Sequence, residues 1–147
     1  MRRVVTWLLV WALTILGLRV SLLAPEVCPP VTVAGTRDAA GAAADWSAGH
    51  QDAEGRYLYE WDLAIDGPTA APYNYVRHAG TTMALYQFVL EGESSYLGAA
   101  DTGLSWLLER ERGNDEVAAI APSDTANAKL GTSALLAVGL VHRRQAT

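Results

Sequence analysis

Cysteine is nearly absent. Cys28 stands alone, so no internal disulfide framework can hold this chain. Histidine is scarce as well: three scattered residues and one stalk thiol do not make a metal-ligand set. Neither "GTRDAAG" nor "AGTTMA" has the spacing of a phosphate-binding loop. No Gly-x-Ser-x-Gly elbow presents a serine nucleophile to a His-Asp pair. Positive charge is also short: from Pro25 onward eight basic residues face 16 acidic ones, a balance of −8. A surface of that sign argues against nucleic acid or anionic lipid as the partner of the soluble part.

Apolar residues are abundant. Half of the 147 residues are apolar, enough to bury one domain core. The first stretch, "MRRVVTWLLVWALTILGLRVSLLA", opens with Arg2 and Arg3 and runs apolar from Val4 to Leu18. With Arg19 snorkelling to the headgroups, the run extends to Ala24. As a helix, residues 4–24 would span about 31 Å, roughly one hydrocarbon core. The arginine pair places the N-terminus in the cytoplasm and the rest of the chain outside it. Residues 1–24 are therefore expected to be a single-pass anchor in the cell membrane. A cleavable signal peptide, giving a secreted chain, is the alternative. Leu22 and Ala24 before Pro25 form a poor cleavage site, and the better Thr32-Val33-Ala34 lies far downstream. Cys28 lacks the small preceding residue of a lipoprotein site and reads as an incidental thiol.

Residues 25–36 carry three prolines within six positions and predict an extended stalk before a domain at 37–147. An alanine-rich helix is expected from Arg37 to Gly49. Tyr57, Tyr59 and Trp61 then alternate with Leu58, Glu60 and Asp62, which predicts a strand with aromatics on one side and carboxylates on the other. On such a strand the two sets cannot face one pocket. After the loop "DGPTAAP", helices are predicted near 73–90 and 94–111, the second capped by Ser94 or Ser95. "DEVAAIAPSD" reads as a second extended piece, before a last helix from Thr125 to His142 capped by Asp124 or Thr125. "AGTTMAL" at 79–85 echoes "LGTSALL" at 130–136, so Gly80 matches Gly131 and Thr81 matches Thr132. A repeat of about fifty residues, made of helix, excursion and helix, is the pattern of stacked α-hairpins.

Asn74, Arg77, His78 and Thr81 fall at i, i+3, i+4 and i+7, one face of an otherwise apolar helix. Polar groups on a buried helix are either satisfied internally or turned toward a wet cavity. In the first case Arg77 pairs with Glu60 or Asp62 and His78 is a satisfied interior group. In the second they line a site. Thr125, Lys129 and Thr132 occupy the matching positions of the last helix.

This pattern resembles the α/α-toroid proteins: the six-hairpin glycosidases, the toroid polysaccharide lyases and the sugar 2-epimerases. The fold expected from it is all-α, a transmembrane helix followed by α-hairpin repeats of an incomplete toroid with short β excursions. Such rings use ten to twelve helices and this chain offers four after the anchor, so a fragment of a longer product is expected, with completion of the ring by association as the alternative. The resemblance implies a carbohydrate-active protein, hydrolase, lyase or epimerase, acting on a sugar or glycan. By the same resemblance His78, Arg77, Tyr73, Glu60 and Asp62 are the catalytic candidates. Asn74, Thr81, Tyr57, Tyr59, Trp61 and Lys129 are the substrate-binding ones, and no cofactor or metal is expected. The alternative function is a non-catalytic helical-repeat module that binds a cell-envelope partner.

Overall fold

The computed structural model describes residues 2–22, 28, 30–69, 72–114, 116–123 and 125–146. It separates into two compact units, Met1–Val33 and Ala34–Thr147. The first contains helix α1, Arg2–Ser21. Its Arg3–Ser21 portion has a mean hydropathy of 1.8 and none of it is buried by protein. A helix apolar on all sides with no protein cover is long and apolar enough to cross a membrane, as an anchor or a signal sequence does. The expected tail of this span, at residues 23 and 24, lies outside the described residues, as do residues 25–27 and 29 of the predicted stalk.

Helix α2 runs from Val33 to Gly49, so it begins inside the predicted stalk. Past Pro30 no proline interrupts the chain before Pro68, and alanine, frequent here, carries the lowest helical cost of any residue. Only Ala44 of α2 is buried. The helix is tied down by side chains at and beyond its end: Tyr96 donates to Asp45 at 2.6 Å, and Gln51 to the Ala99 carbonyl at 3.0 Å.

The predicted strand is much reduced. Tyr57 makes only an isolated bridge to Gln51, and β1 is Trp61–Asp62, paired antiparallel with β2, Gly67–Pro68. Pro68 has no N–H to extend a ladder. Without a ladder, strict alternation of faces is not enforced on residues 57–60.

Helix α3 is Tyr75–Leu90 and starts two residues later than predicted, because Asn74 caps it. A 3-10 turn at Ser94–Tyr96 leads into α4, Leu97–Leu108, so Ser94 and Ser95 lie inside the turn and do not cap. The chain then forms a hairpin of β3, Glu111–Gly113, and β4, Ala118–Ile120, which takes the residues expected to end the preceding helix. Helix α5 is Leu130–Ala146, five residues later than the expected start at Thr125. Thr125, Asn127, Ala128 and Lys129 are exposed, so a helix there would bury too little to offset its nucleation cost. The proposed cap Asp124 lies outside the described residues.

Helix α3 packs against both α4 and α5. The core is built from Leu85, Tyr86, Ala100, Leu104, Leu107 and Leu136, together with Tyr57 and Trp106. Each fully buried large apolar side chain contributes roughly 1.5–3 kcal/mol. The two echoed segments pack on one another. A Cβ on Gly131 would sit 3.4 Å from Val76 of α3, and one on Gly80 would sit 3.7 Å from Leu135 of α5. Small residues at both points let the helix axes close together.

Candidate functional site

The polar stripe at the start of α3 divides into three environments. Asn74 spends its side-chain carbonyl on the backbone N–H groups of Val76 and Arg77, at 3.0 and 3.1 Å. Its own N–H donates to the Tyr59 hydroxyl at 2.7 Å. Arg77 is on the surface, where its guanidinium reaches Glu60 at 3.2 Å and lies 5.2 Å from the Tyr59 ring centroid. Thr81 is half-buried. His78 is wholly buried.

The surroundings of His78 set its protonation. The Tyr57 N–H donates to the Tyr73 hydroxyl at 2.9 Å, and Tyr73 in turn donates to His78 Nδ1 at 2.7 Å. His78 Nε2 lies 2.8 Å from the Gly103 carbonyl, which can only accept, so Nε2 carries the proton. Burial disfavours the imidazolium and pulls the His78 pKa down to about 4, so the ring is neutral at pH 7. Burial likewise pushes the Tyr57 phenol up to about 12 and Tyr73 well above its ordinary value. The imidazole stacks on Trp106, and Arg110 covers the other indole face at 3.7 Å. Both nitrogens of His78 are therefore used within the fold, as in the first of the two arrangements open to it from sequence.

Thr82, not Thr81, supplies the hydroxyl in this network, 3.2 Å from the Tyr57 hydroxyl. It follows His78 by four residues and so lies on the buried face, whereas Thr81 follows Arg77 by four and lies beside it. Gly103 is needed at this level of α4, because a Cβ there would collide with the Tyr57 hydroxyl and stand 2.9 Å from Thr82 Oγ1.

An open cleft of about 370 Å³ lies over this network. Tyr57, Tyr59, Tyr73, Glu60, Arg56 and Thr69 are among the residues that line it. Aromatics and a carboxylate thus share one cavity. This corrects the expectation that the two sets must face apart, because residues 57–60 are not held in a pleated ladder. The polar groups are fixed in place. Thr69 donates to Glu60 at 2.9 Å, and Arg56 pairs with Asp52 at 2.7 Å, which holds the Asp52 carboxyl below its ordinary range despite an opposing cost of burial.

The remaining candidates lie elsewhere. Asp62 accepts from the Ala64 N–H at 2.8 Å in a local turn. Trp61 is half-exposed, 5.5 Å edge-on from the His50 ring, which itself stacks on Trp46 at 4.5 Å. Lys129 lines a separate cavity of about 90 Å³ together with Tyr73, Tyr75 and Thr132. The structure therefore gathers Tyr57, Tyr59, Tyr73 and Glu60 and does not gather Asp62, Trp61, Asn74, Arg77, His78, Thr81 or Lys129 with them in that cleft. Arg56, Thr69, Thr82 and Trp106 went unpredicted as site groups. For Thr82 the signal was present, as the i+4 neighbour of His78. Among the described residues no group of three or more His, Cys, Asp and Glu side chains could hold a metal ion. No family model, no curated protein and no solved structure matches this chain.

Proposed function

We propose that the chain is a membrane-tethered module that binds a sugar or glycan in the tyrosine-walled cleft, with its C-terminal unit outside the cytoplasm. The observation that carries this is the composition of one cavity: three tyrosines beside Glu60, Arg56 and Thr69. A pyranose offers an apolar C–H face and an equatorial rim of hydroxyls. Aromatic rings meet the first, and fixed carboxylate, guanidinium and hydroxyl groups meet the second. The ion pairs and hydrogen bonds that already hold these polar groups lower the cost of ordering them around a ligand.

Binding is favoured over turnover by the same lining. Glycoside hydrolysis commonly uses two carboxyl groups flanking the bond, and Glu60 is the only carboxylic acid among the described residues lining the cleft. A lyase or epimerase would need a base in reach of its substrate, and the two nitrogens of His78 already serve Tyr73 and Gly103. Sugar binding in this cleft does not require a closed ring of helices. The direct packing of the Gly80 and Gly131 segments is what supports the hairpin-repeat part of the reading.

Calorimetric titration of the full-length chain in detergent with a panel of neutral and acidic oligosaccharides tests the proposal. Saturable binding is expected, weakened about tenfold (about 1.4 kcal/mol) by Glu60→Gln. Absence of binding across the panel, or equal affinity in Glu60→Gln and in Tyr59→Ala, would overturn it.

A further inference from the structure

We infer that the N-terminal end of α5 is a binding site for an oxyanion, a carboxylate or a phosphate group. It is separate from the cleft and does not rest on sugar binding there. Three observations meet at this point. The first is an unpartnered hydroxyl. Thr132 is wholly buried, its Oγ1 has no hydrogen-bond partner, and the residue lines the 90 Å³ cavity. Buried hydroxyls are nearly always paired, and leaving one unpaired is costly. That cavity has several times the roughly 10–15 Å³ that one water needs.

The second observation is charge. Lys129, the only lysine of the chain, lines the same cavity together with the Asn127 amide. None of the described residues lining it is acidic, in a chain whose acids otherwise outnumber its bases. The third is the helix itself. Lys129 immediately precedes Leu130, the first residue of a 17-residue helix. A lysine side chain carries donors only, so it cannot accept from the first-turn amides as Asn74 does for α3. The Thr132 N–H already bonds the Lys129 carbonyl at 3.0 Å. The Gly131 N–H, the ammonium, the carboxamide NH2 and the hydroxyl of Thr132 can each donate, and a helix N-terminus favours negative charge. An acceptor-only group with two or three oxygens complements that set.

Titration of the full-length chain in detergent with sodium phosphate and, in parallel, with sodium acetate tests this. The readouts are the melting temperature and the Gly131 amide resonance, with sodium chloride at matched ionic strength as the control. One anion or both should raise the melting temperature saturably and shift the Gly131 amide, and chloride should do neither. Saturation by phosphate alone identifies a phosphate site, by acetate alone a carboxylate site, and by both a general oxyanion site. Thr132→Val and Lys129→Met should each weaken the binding about tenfold or more. Thr132→Val should melt no lower than the parent without anion, because its hydroxyl has no partner to lose. Lys129 is exposed, so Lys129→Met keeps the test decisive even if the valine variant fails to fold. A response equal to that of chloride, or parental affinity in Lys129→Met, would overturn the inference.

Discussion

The imidazole of His78 and the indole of Trp106 lie face to face, with ring centroids 4.6 Å apart and planes 16° from parallel. Arg110 stacks on the opposite indole face, so a cation, an indole and a neutral imidazole form one pile between α3 and α4. The neutral ring suits that position, because a second cation on the other side of Trp106 would be repelled by Arg110.

His78→Gln is therefore expected to destabilise the fold. Glutamine cannot reproduce both the Nδ1 acceptor to Tyr73 and the Nε2 donor to Gly103 in the same positions, nor the stack. Each partner left buried and unpaired costs about 1–3 kcal/mol. Chemical denaturation of parent and variant side by side measures the difference; equal midpoints would show that the network contributes nothing.

Acid should weaken the fold through the same residue. The His78 pKa is near 4 when folded and near 6.5 when unfolded, so below pH 6.5 the unfolded chain binds the extra proton. The stabilisation is complete above pH 6.5 and is lost as pH falls toward 4, by about 3 kcal/mol in all. Stability measured from pH 7.5 to 4 should show this slope, and His78→Gln should flatten it.

Arg77→Ala should cost little. The Arg77 and Glu60 side chains are 60% and 40% exposed, and an exposed ion pair contributes roughly 0–1 kcal/mol. A loss of several kcal/mol on denaturation would mean that the pair is shielded from solvent.

Two glycines of one helix should respond in opposite directions. Gly98→Ala meets open space and should gain up to about 1 kcal/mol of helix propensity. Gly103→Ala drives a methyl into Tyr57 and Thr82 and should lose about 1–3 kcal/mol. Paired melting curves check both signs.

The readable features were those with strong local causes. The apolar run of α1, the long apolar body of α3 and the glycines that seat α3 on α5 each follow from a residue pattern. The start of α5 was not readable, because burial and not propensity decides whether residues 125–129 join the helix. The shape of 57–62 was hidden for a related reason. Alternating aromatics suggest a strand, but only a partner strand makes one, and Gly67–Pro68 pairs with just two residues. The fate of the polar stripe turned on a rotation of one position about α3, which buries His78 and Thr82 and leaves Arg77 outside.

Tyr73 borders both cavities, the cleft and the smaller space at the end of α5. Its hydroxyl is held from two sides, by the Tyr57 N–H and by His78 Nδ1. A ring fastened in this way is a fixed partition, since swinging it aside would break both bonds in the interior. Occupants of the two cavities should accordingly fill them without cooperativity, each leaving the affinity of the other unchanged. The fastening weakens in acid, when His78 gains a proton and Nδ1 can no longer accept, and only then would the two spaces begin to communicate.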